Sequence, residues 1–493
     1  MKLILIGHEY KYAVEQIMLS LFPDEKPVFS PDSVTGSSDL LASSRLRFGA
    51  FYAQATTTIS CNGQVFHGVA RLKSDKLTTK VISDRLLQSI IKQSFFRAAK
   101  PFIPTPPVWG SLTGIRPAHI AAAAFESGKT IESVRKLLID GYYVSPKRSE
   151  ICIEAAQKSI EIKKLLKPHD IALYIGIPFC PSRCAYCSFV SNSVEKSFDM
   201  IEPFVSVLLK EIKAAGETVR ALGLRVTSIY MGGGTPTALP DHFLESVMAE
   251  LSLSFDLSQA HEFTIEAGRP ETITESKLSI LNKYGVGRVC VNPQSMSDEV
   301  LSAIGRKHTA QDVLDAVHLG RQYGFALNMD IIAGLPTDTP EHFKKTIDTV
   351  LALCPENVTI HTLSLKKGSK IMLENTIIPT GDDVGIMLDY AFARLYERGL
   401  HPYYLYRQKF TSGGFENTGW CLPGHEGIYN ISMMEELCSV LSLGGGGVTK
   451  LVSANGRIER VFNAKYPREY ILKSGEFDHK FGKIKTFLAD EAR

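Results

Sequence analysis

Three cysteines, Cys180, Cys184 and Cys187, follow an apolar, strand-like run at Cys-x3-Cys-x2-Cys spacing. Thiolates grouped this closely are typical ligands of zinc or of an iron–sulfur cluster. A structural zinc site needs four closed ligands, and the nearest cysteine downstream is Cys290. A [4Fe–4S] cluster held by three cysteines keeps one iron open to a substrate or cofactor. The spacing therefore favours a [4Fe–4S] cluster over a zinc knuckle.

The sequence around these cysteines is YIGIPFC at residues 174–180, with an aromatic residue, Tyr186, before the last cysteine. It resembles the signature of radical S-adenosylmethionine (SAM) enzymes and, more narrowly, of the oxygen-independent coproporphyrinogen III oxidase family. In that family SAM chelates the open iron, and an electron from the cluster cleaves SAM to methionine and a 5′-deoxyadenosyl radical. The resemblance implies that the cysteines are the metal ligands and that Tyr186 lies with the cofactor. The catalytic group that it implies is Tyr174, Cys180, Cys184 and Cys187.

Strand-like and helical patterns alternate six times beyond residue 168, which predicts an α/β fold with a parallel sheet. The candidate strands are 171–177, 226–231, 262–267, 286–292, 326–332 and 357–363. The helical periods between them are 200–221, 241–253, 274–284, 310–323, 341–353 and 382–398. Periodicity cannot separate an open sheet from a barrel. The family resemblance implies a partial (β/α)6 barrel, with ligands at the carboxyl ends of the strands, as in complete barrels.

Short motifs follow these strands in the order expected for SAM binding: GGGTP at 232–236, EAGRP at 266–270, VNPQS at 291–295, IGRKH at 304–308 and NMDIIAGLP at 328–336. Taken singly, each is also compatible with a turn, a helix cap or a surface charge. By resemblance, the glycine segment holds the methionine end of SAM, the arginine its carboxylate, and the aspartate its ribose. The residues implied are Gly233, Gly234, Thr235, Glu266 (methionine group or ribose), Gln294, Arg306, Asp330 and Ile332 (near adenine).

Four segments are predicted along the chain. Residues 1–105 form an N-terminal α+β domain, in which a strand at 3–6 and a helix at 12–22 precede β-rich runs at 46–57 and 64–72 and a helix at 83–100. Residues 106–167 form a helical connector, 168–400 the partial barrel, and 401–493 a small C-terminal domain on the substrate side.

The C-terminal segment combines aromatic residues, basic residues and a glycine run at 444–447. This composition fits either an aromatic core with a glycine hinge or the wall of a tetrapyrrole site. Similar strings occur in the branch of the family usually called HemZ, and this resemblance favours the substrate-facing role, with Arg407 and Lys409 pairing with propionates. One departure is clear: Gly176 stands where the family usually has a histidine close to the cluster, so the surroundings of the cluster are expected to differ.

The composition is that of a soluble globular protein: 44% of the 493 residues are apolar, 22% are charged, and the net charge is +3. Such a small charge gives no overall field for nucleic acid or membrane binding. Scattered cysteines, no secretory leader and no apolar run of roughly 18 residues predict a cytoplasmic protein without a membrane span.

The resemblance implies oxidative decarboxylation of two propionates of coproporphyrinogen III to the vinyl groups of protoporphyrinogen IX, without oxygen. The partners would be this tetrapyrrole, an electron donor for the cluster and a terminal electron acceptor. Two alternatives share the same cysteines: a haem-binding chaperone and a radical SAM enzyme that modifies haem. A purely structural metal protein is the most distant alternative.

Overall fold

The computed structural model describes residues 1–29, 40–187, 192–194, 197–366, 369–374, 376–408, 411–454 and 456–491. The chain divides into two compact units, Met1–Ile153 and Glu154–Arg493. The finer division into four domains stays a prediction. No helix within the described ranges is both long enough and apolar enough to cross a membrane.

The described part of the first unit contains a five-stranded mixed sheet in the order β2-β1-β3-β4-β5. The predicted β-rich run 46–57 contains a turn near Gly49, whose amide donates to the carbonyl of Tyr52, so it contributes to two antiparallel strands. Apolar side chains of α1 and α2, among them Ile17 and Phe95, form a core with the sheet. The elements that begin in this unit are β1 (Lys2–Ile6), α1 (Lys11–Leu21), β2 (Val28–Phe29), β3 (Leu40–Phe48), β4 (Tyr52–Cys61), β5 (Gln64–Lys73), α2 (Lys80–Ala99), α3 (Pro117–Glu126), α4 (Ile131–Lys136) and α5 (Pro146–Leu165), which continues into the second unit.

The second unit contains the six predicted parallel strands, in sequence order across the sheet. They are β6 (Asp170–Ile177), β9 (Arg225–Gly233), β10 (Glu262–Glu266), β11 (Arg288–Cys290), β12 (Ala326–Ala333) and β13 (Asn357–Thr362). Two short strands, β7 (Phe179–Cys180) and β8 (Asn192–Ser193), pair with each other after β6. The α/β prediction is confirmed, and the parallel pairing places all six carboxyl ends at one edge of the sheet.

Helices connect these strands, as the alternating periodicity predicts. They are α6 (Ile201–Ala221), α7 (Asp241–Ser254), α8 (Glu275–Lys283), α9 (Asp298–Ala303), α10 (Ala310–Gln322), α11 (Pro340–Ala352), α12 (Lys370–Leu373) and α13 (Gly381–Glu397). Several begin at a threonine whose hydroxyl accepts a backbone N–H of the first turn, as Thr309 does for α10 and Thr380 for α13. Hydroxyl caps therefore fix where these connecting helices begin.

Strands from beyond residue 400 extend the same sheet on both sides, so its order in the described residues is β14-β15-β13-β12-β11-β10-β9-β6-β16-β17-β18. β15 pairs antiparallel with β13, whereas β16 pairs parallel with β6. The elements are β14 (His401–Arg407), β15 (Glu416–Cys421), α14 (Ile428–Glu435), β16 (Ser439–Gly444), β17 (Val448–Val452), β18 (Ile458–Phe462), α15 (Pro467–Leu472) and α16 (Phe477–Glu491). The segment after residue 400 therefore flanks the predicted active-site strands directly.

Candidate active site

The cysteine segment leaves the end of β6 and is tied to neighbouring strand ends by its backbone. The amides of Gly234 and Thr235 donate to the carbonyls of Ile177 and Phe179, at 2.6 and 2.7 Å. The sulfur of Cys180 lies 3.5 Å from the hydroxyl oxygen of Thr235. The segment is thus held against the glycine motif that follows β9.

The other two cysteines are positioned by the loop that follows α9. The amide of Ala185 donates to the carbonyl of Ile304 at 2.9 Å, and that of Cys187 to the carbonyl of Cys184 at 3.1 Å. The chain therefore folds back on itself between Cys184 and Cys187, beside residues 304–306.

The glycine motif after β9 leaves space that side chains would otherwise fill. A Cβ at residue 234 would lie 2.4 Å from the carbonyl oxygen of Phe179, and one at residue 232 would lie 3.0 Å from the carboxyl carbon of Glu266. Gly233 has a φ of 104°, in the region that favours glycine. The backbone of Gly233 and Gly234 therefore comes close to β6, and a ligand can approach it closely as well.

Glu266 ends β10 beside a stack of three tyrosines. Tyr230 and Tyr429 stack at 4.7 Å between ring centroids, and Tyr174 stacks on both. The hydroxyl of Tyr230 donates to Glu266 at 2.7 Å. Burial raises the pKa of Glu266 to about 7, helped by the charge of Asp330 and opposed by the Tyr230 hydrogen bond. Near neutral pH this carboxyl can therefore act as a hydrogen-bond donor as well as an acceptor.

Gln294 and Asp330 are placed side by side through the backbone. The amide of Gln294 donates to the carbonyl of Asp330 at 2.9 Å, and the amide of Ile332 donates to the carbonyl of Gln294 at 3.1 Å. Gln294 adopts a left-handed φ of 66°, which a side chain rarely adopts without a compensating arrangement. This strained residue lies at the strand edge where the SAM site is predicted.

The Asp330 carboxylate is fixed by two neighbours. Asn328 donates to its Oδ1 at 2.8 Å, and His361 Nε2 lies 3.7 Å from its Oδ2. Although burial opposes the shift, the neighbouring His361 lowers the pKa of Asp330, and Asp330 raises the pKa of His361. The carboxylate is therefore kept ionised and can accept hydrogen bonds from hydroxyl groups.

Arg306 is buried and held by oxygen acceptors. Its Nη1 donates to the carbonyls of Gly268 and Asn292, at 3.0 and 2.7 Å, and its Nη2 donates to the hydroxyl of Tyr186 at 3.0 Å. The ring of Tyr186 packs on an apolar cluster that contains Ile332. These contacts bring three predicted cofactor-binding residues, Arg306, Tyr186 and Ile332, together beside the cysteine loop.

A second guanidinium, that of Arg269, approaches the cysteines directly. Its Nη1 lies 2.9 Å from the sulfur of Cys184. Although burial opposes the shift, the charges of Arg306 and Arg269 lower the pKa of the Cys184 thiol. Cys184 is thus favoured in the thiolate form that binds metal.

The predicted residues fit a cluster with SAM by the chemistry of their donor atoms and by their unsatisfied groups. Three buried polar atoms beside the strand edge have no hydrogen-bond partner: Asn292 Oδ1, Gln294 Oε1 and Arg306 Nε. A ligand carrying amino and carboxylate groups could satisfy such atoms. No three His, Cys, Asp or Glu side chains in the described residues are already grouped as a metal site; the sulfurs of Cys180 and Cys184 lie against different partners.

Gly176 lies where β6 and β16 run side by side. A Cβ at residue 176 would lie 2.6 Å from the carbonyl oxygen of Gly445, and one at residue 444 would lie 2.2 Å from the carbonyl oxygen of Gly176. The amide of Gly445 donates to that same oxygen at 3.1 Å. The turn at residues 444–447 therefore occupies the space that a histidine side chain would need.

Of the two basic residues predicted to pair with propionates, Arg407 lies in the described part of the chain. Arg407 ends β14, and its Nη2 donates to the carbonyl of Gly414 at 2.8 Å. Burial lowers the pKa of Arg407 to about 10. Lys409 lies outside the described residues. Trp420, also in the aromatic tail, is fully buried against Phe392 and Tyr396 and belongs to the core.

Sequence reasoning gave no role to Arg269, Asn292, Tyr230, Tyr429 or His361. Arg269 and Asn292 stood inside the quoted motifs, and His361 is the one titratable residue of β13. Position at a strand end was the signal that could have identified these three. Tyr429 had no such signal, because it reaches the site from α14, far along the sequence.

Comparison with known proteins identifies the family and the fold. The sequence model of the radical SAM superfamily matches residues 174–350. Among solved structures, coproporphyrinogen III oxidase (HemN) from Escherichia coli matches with a TM-score of 0.51 and 20% identity, over 65% of this chain and 72% of that chain. The fold is therefore that of a radical SAM protein, and the partial-barrel prediction is confirmed.

The oxygen-independent coproporphyrinogen-III oxidase-like protein HemZ of Bacillus subtilis (strain 168) is 37% identical over 378 residues, 75% of each chain. The heme chaperone HemW of Escherichia coli (strain K12) is 25% identical over 311 residues, 62% of this chain and 77% of that protein. The chain belongs to the family of oxygen-independent coproporphyrinogen III oxidase-like proteins, within the radical SAM superfamily. Members of this superfamily use a [4Fe–4S] cluster and SAM, so the prediction of these cofactors is confirmed.

Proposed function

We propose that this protein oxidatively decarboxylates two propionates of coproporphyrinogen III, giving protoporphyrinogen IX. The observation that carries the proposal is that the cysteine loop, a glycine cradle and charged side chains meet at one strand edge, in a chain 37% identical to a coproporphyrinogen oxidase-like protein. The tetrapyrrole, the electron donor and the terminal electron acceptor belong to this proposal.

The reaction explains why such cofactors are needed. The β C–H bond of a propionate is too weakly acidic for any side-chain base. Bound together, the cluster and SAM would supply the one-electron chemistry that takes this hydrogen as an atom. Breaking the adjacent C–C bond then releases CO2, and one electron passes to an acceptor as the vinyl group forms. Two such rounds convert two propionates.

The chain's own residues bind and orient these groups in the proposal. The metal ligands are Cys180, Cys184 and Cys187, and the SAM-binding residues are Tyr186, Gly233, Gly234, Thr235, Glu266, Gln294, Arg306, Asp330 and Ile332. Arg306 meets the SAM carboxylate, since its guanidinium is buried and has one unsatisfied nitrogen, Nε. Asp330 accepts the ribose hydroxyls, since it stays ionised beside His361.

Tyr174 and Arg407 have roles at the boundary between SAM and substrate. Tyr174 stacks with Tyr230 and Tyr429 beside Glu266, so the three rings form one aromatic surface next to this carboxyl group. Arg407 would bind a propionate, because burial lowers its pKa to about 10 and a bound carboxylate would stabilise the charged guanidinium. Lys409 would assist it.

An anaerobic assay tests the proposal. The protein is reconstituted with iron and sulfide, reduced, and mixed with SAM and coproporphyrinogen III, and 5′-deoxyadenosine and porphyrin products are followed together. Deoxyadenosine that depends on substrate, formed with protoporphyrinogen IX, supports the decarboxylase. Cys184→Ser is the matched control and should give neither product.

A haem chaperone is the second candidate, because HemW of Escherichia coli is related over 77% of its length. Titration with haem separates the candidates: a chaperone should bind haem tightly and leave coproporphyrinogen III unchanged. Deoxyadenosine without porphyrin conversion would contradict the decarboxylase, and consumption of haem would point to a haem-modifying enzyme.

A further inference from the structure

Arg269 lies between the cysteine loop and the strand edge, and its guanidinium is almost fully buried, at 3% exposure. One nitrogen, Nη1, donates to the sulfur of Cys184 at 2.9 Å. The other, Nη2, donates to the hydroxyl and the carbonyl of Ser182. The fork of this arginine therefore joins two residues of the loop that carries the proposed ligands.

A carboxylate and a histidine hold Arg269 from the opposite side. The Nε of Arg269 donates to Glu271 Oε1 at 3.1 Å. The second oxygen of Glu271, Oε2, lies 3.1 Å from Nδ1 of His308, whose side chain is buried. All three nitrogens of the guanidinium thus have hydrogen-bond partners, and these partners fix the plane of the group and its distance from the sulfur of Cys184.

We propose that Arg269 is a positioning residue that hydrogen-bonds the thiolate of Cys184 and sets the reduction potential of the cluster. The inference rests on the proposed role of Cys184 as a ligand. A cationic N–H donor stabilises the additional negative charge of the reduced cluster more than that of the oxidised cluster. Arg269 therefore raises the potential and eases reduction of the cluster.

Both Arg306 and Arg269 lie near Cys184, but their hydrogen bonds go to different partners. Arg306 donates to the carbonyls of Gly268 and Asn292 and to Tyr186, and keeps one unsatisfied nitrogen. Arg269 instead donates directly to sulfur. Arg306 is thus available to the proposed SAM carboxylate, whereas Arg269 hydrogen-bonds the proposed metal ligand Cys184.

The test is a redox titration of the reconstituted protein, followed by the electron paramagnetic resonance signal of the reduced cluster, without SAM. Arg269→Gln should lower the equilibrium constant for one-electron reduction at least tenfold, which corresponds to a fall of about 59 mV in midpoint potential. Arg269→Lys keeps the charge but loses the fork, so the fall should be smaller. Arg321→Gln is the matched control, because it breaks an ion pair between Arg321 on α10 and Glu356 just before β13, and it should leave the potential unchanged.

The direction of the shift excludes a merely structural effect. Loss of packing that admitted water would stabilise the reduced cluster and raise the potential. An unchanged or raised potential in Arg269→Gln, at full iron content, would overturn the proposal. If the glutamine variant does not retain iron, Arg269→Lys decides: a lower potential supports the inference and an equal one refutes it. Failure of the ligand assignment gives a different result, namely a normal cluster in Cys184→Ser.

Discussion

Restoring the family's histidine at residue 176 should damage this protein. In Gly176→His the new Cβ would lie 2.6 Å from the carbonyl oxygen of Gly445, closer than folded proteins allow. The turn at residues 444–447 cannot simply move away, because Gly445 donates to the carbonyl of Gly176 and Gly444 donates to the buried carboxylate of Glu211 at 2.7 Å. The substitution must therefore break contacts on at least one side of the turn.

The cost follows from these contacts. Inserting a side chain into a closely packed site costs about 1–3 kcal/mol. Losing the Gly445 hydrogen bond adds about 1 kcal/mol, and weakening the charge-assisted bond to Glu211 adds about 1.5 kcal/mol or more. We expect a loss of about 3.5–5.5 kcal/mol in the free energy of unfolding of the second unit, together with reduced iron content.

Urea unfolding followed by tryptophan fluorescence measures this loss. A Trp109→Phe background leaves Trp420, on β15, as the reporter for the second unit. Gly176→Ala carries the same Cβ and should lose a comparable amount. Gly287→Ala is the control, since an added Cβ there meets nothing within 4 Å. A histidine variant with wild-type stability and full iron content would refute the reasoning.

Four further predictions concern the site and its support. Cys184→Ser should abolish SAM cleavage because the cluster is lost, which the absorbance of the cluster measures. Full cleavage would exclude Cys184 as a ligand. Asp330→Ala should weaken SAM binding roughly tenfold to a hundredfold, by loss of hydrogen bonds to a charged group, with iron unchanged; equilibrium dialysis showing wild-type affinity would contradict this. Because burial raises the pKa of Glu266 from 4.5 to about 7, the folded state keeps a proton that the unfolded chain loses over this range, so unfolding free energy should fall by about 3 kcal/mol as pH rises through it. Glu266→Gln should remove this fall. Urea titrations of both proteins, below pH 4.5 and above pH 7, check it. Lys480→Met leaves Glu211 buried without its cation, so we expect a loss of about 3 kcal/mol; the double variant with Glu211→Gln should recover part of it, whereas an unchanged midpoint in urea would count against the ion pair.

The sequence predicted the six central strands because each is a short apolar run between helical periods, and local patterns suffice for that. The family resemblance named most residues of the candidate site, and these residues lie at strand ends, which parallel pairing brings to one edge. The contacts of Arg269, Tyr429 and Glu211 could not be read in this way. Each depends on segments far apart in sequence, and a local pattern contains no information about such pairings.

The close approach of Gly176 to residues 444–447 gives a physical reason for the departure from the family's histidine. β16 runs beside β6, and Glu211 anchors the following turn through Gly444 and accepts hydrogen bonds from Asn463, Tyr470 and Lys480. Because β6 leads directly into the cysteine loop, the residues after 440 support the strand from which the proposed ligands emerge. The last segment of the chain is therefore part of the scaffold of the candidate active site. Residue 176 cannot carry a side chain that donates a hydrogen bond near the proposed cluster. Arg269 supplies such a hydrogen bond from just beyond the end of β10, to the sulfur of Cys184.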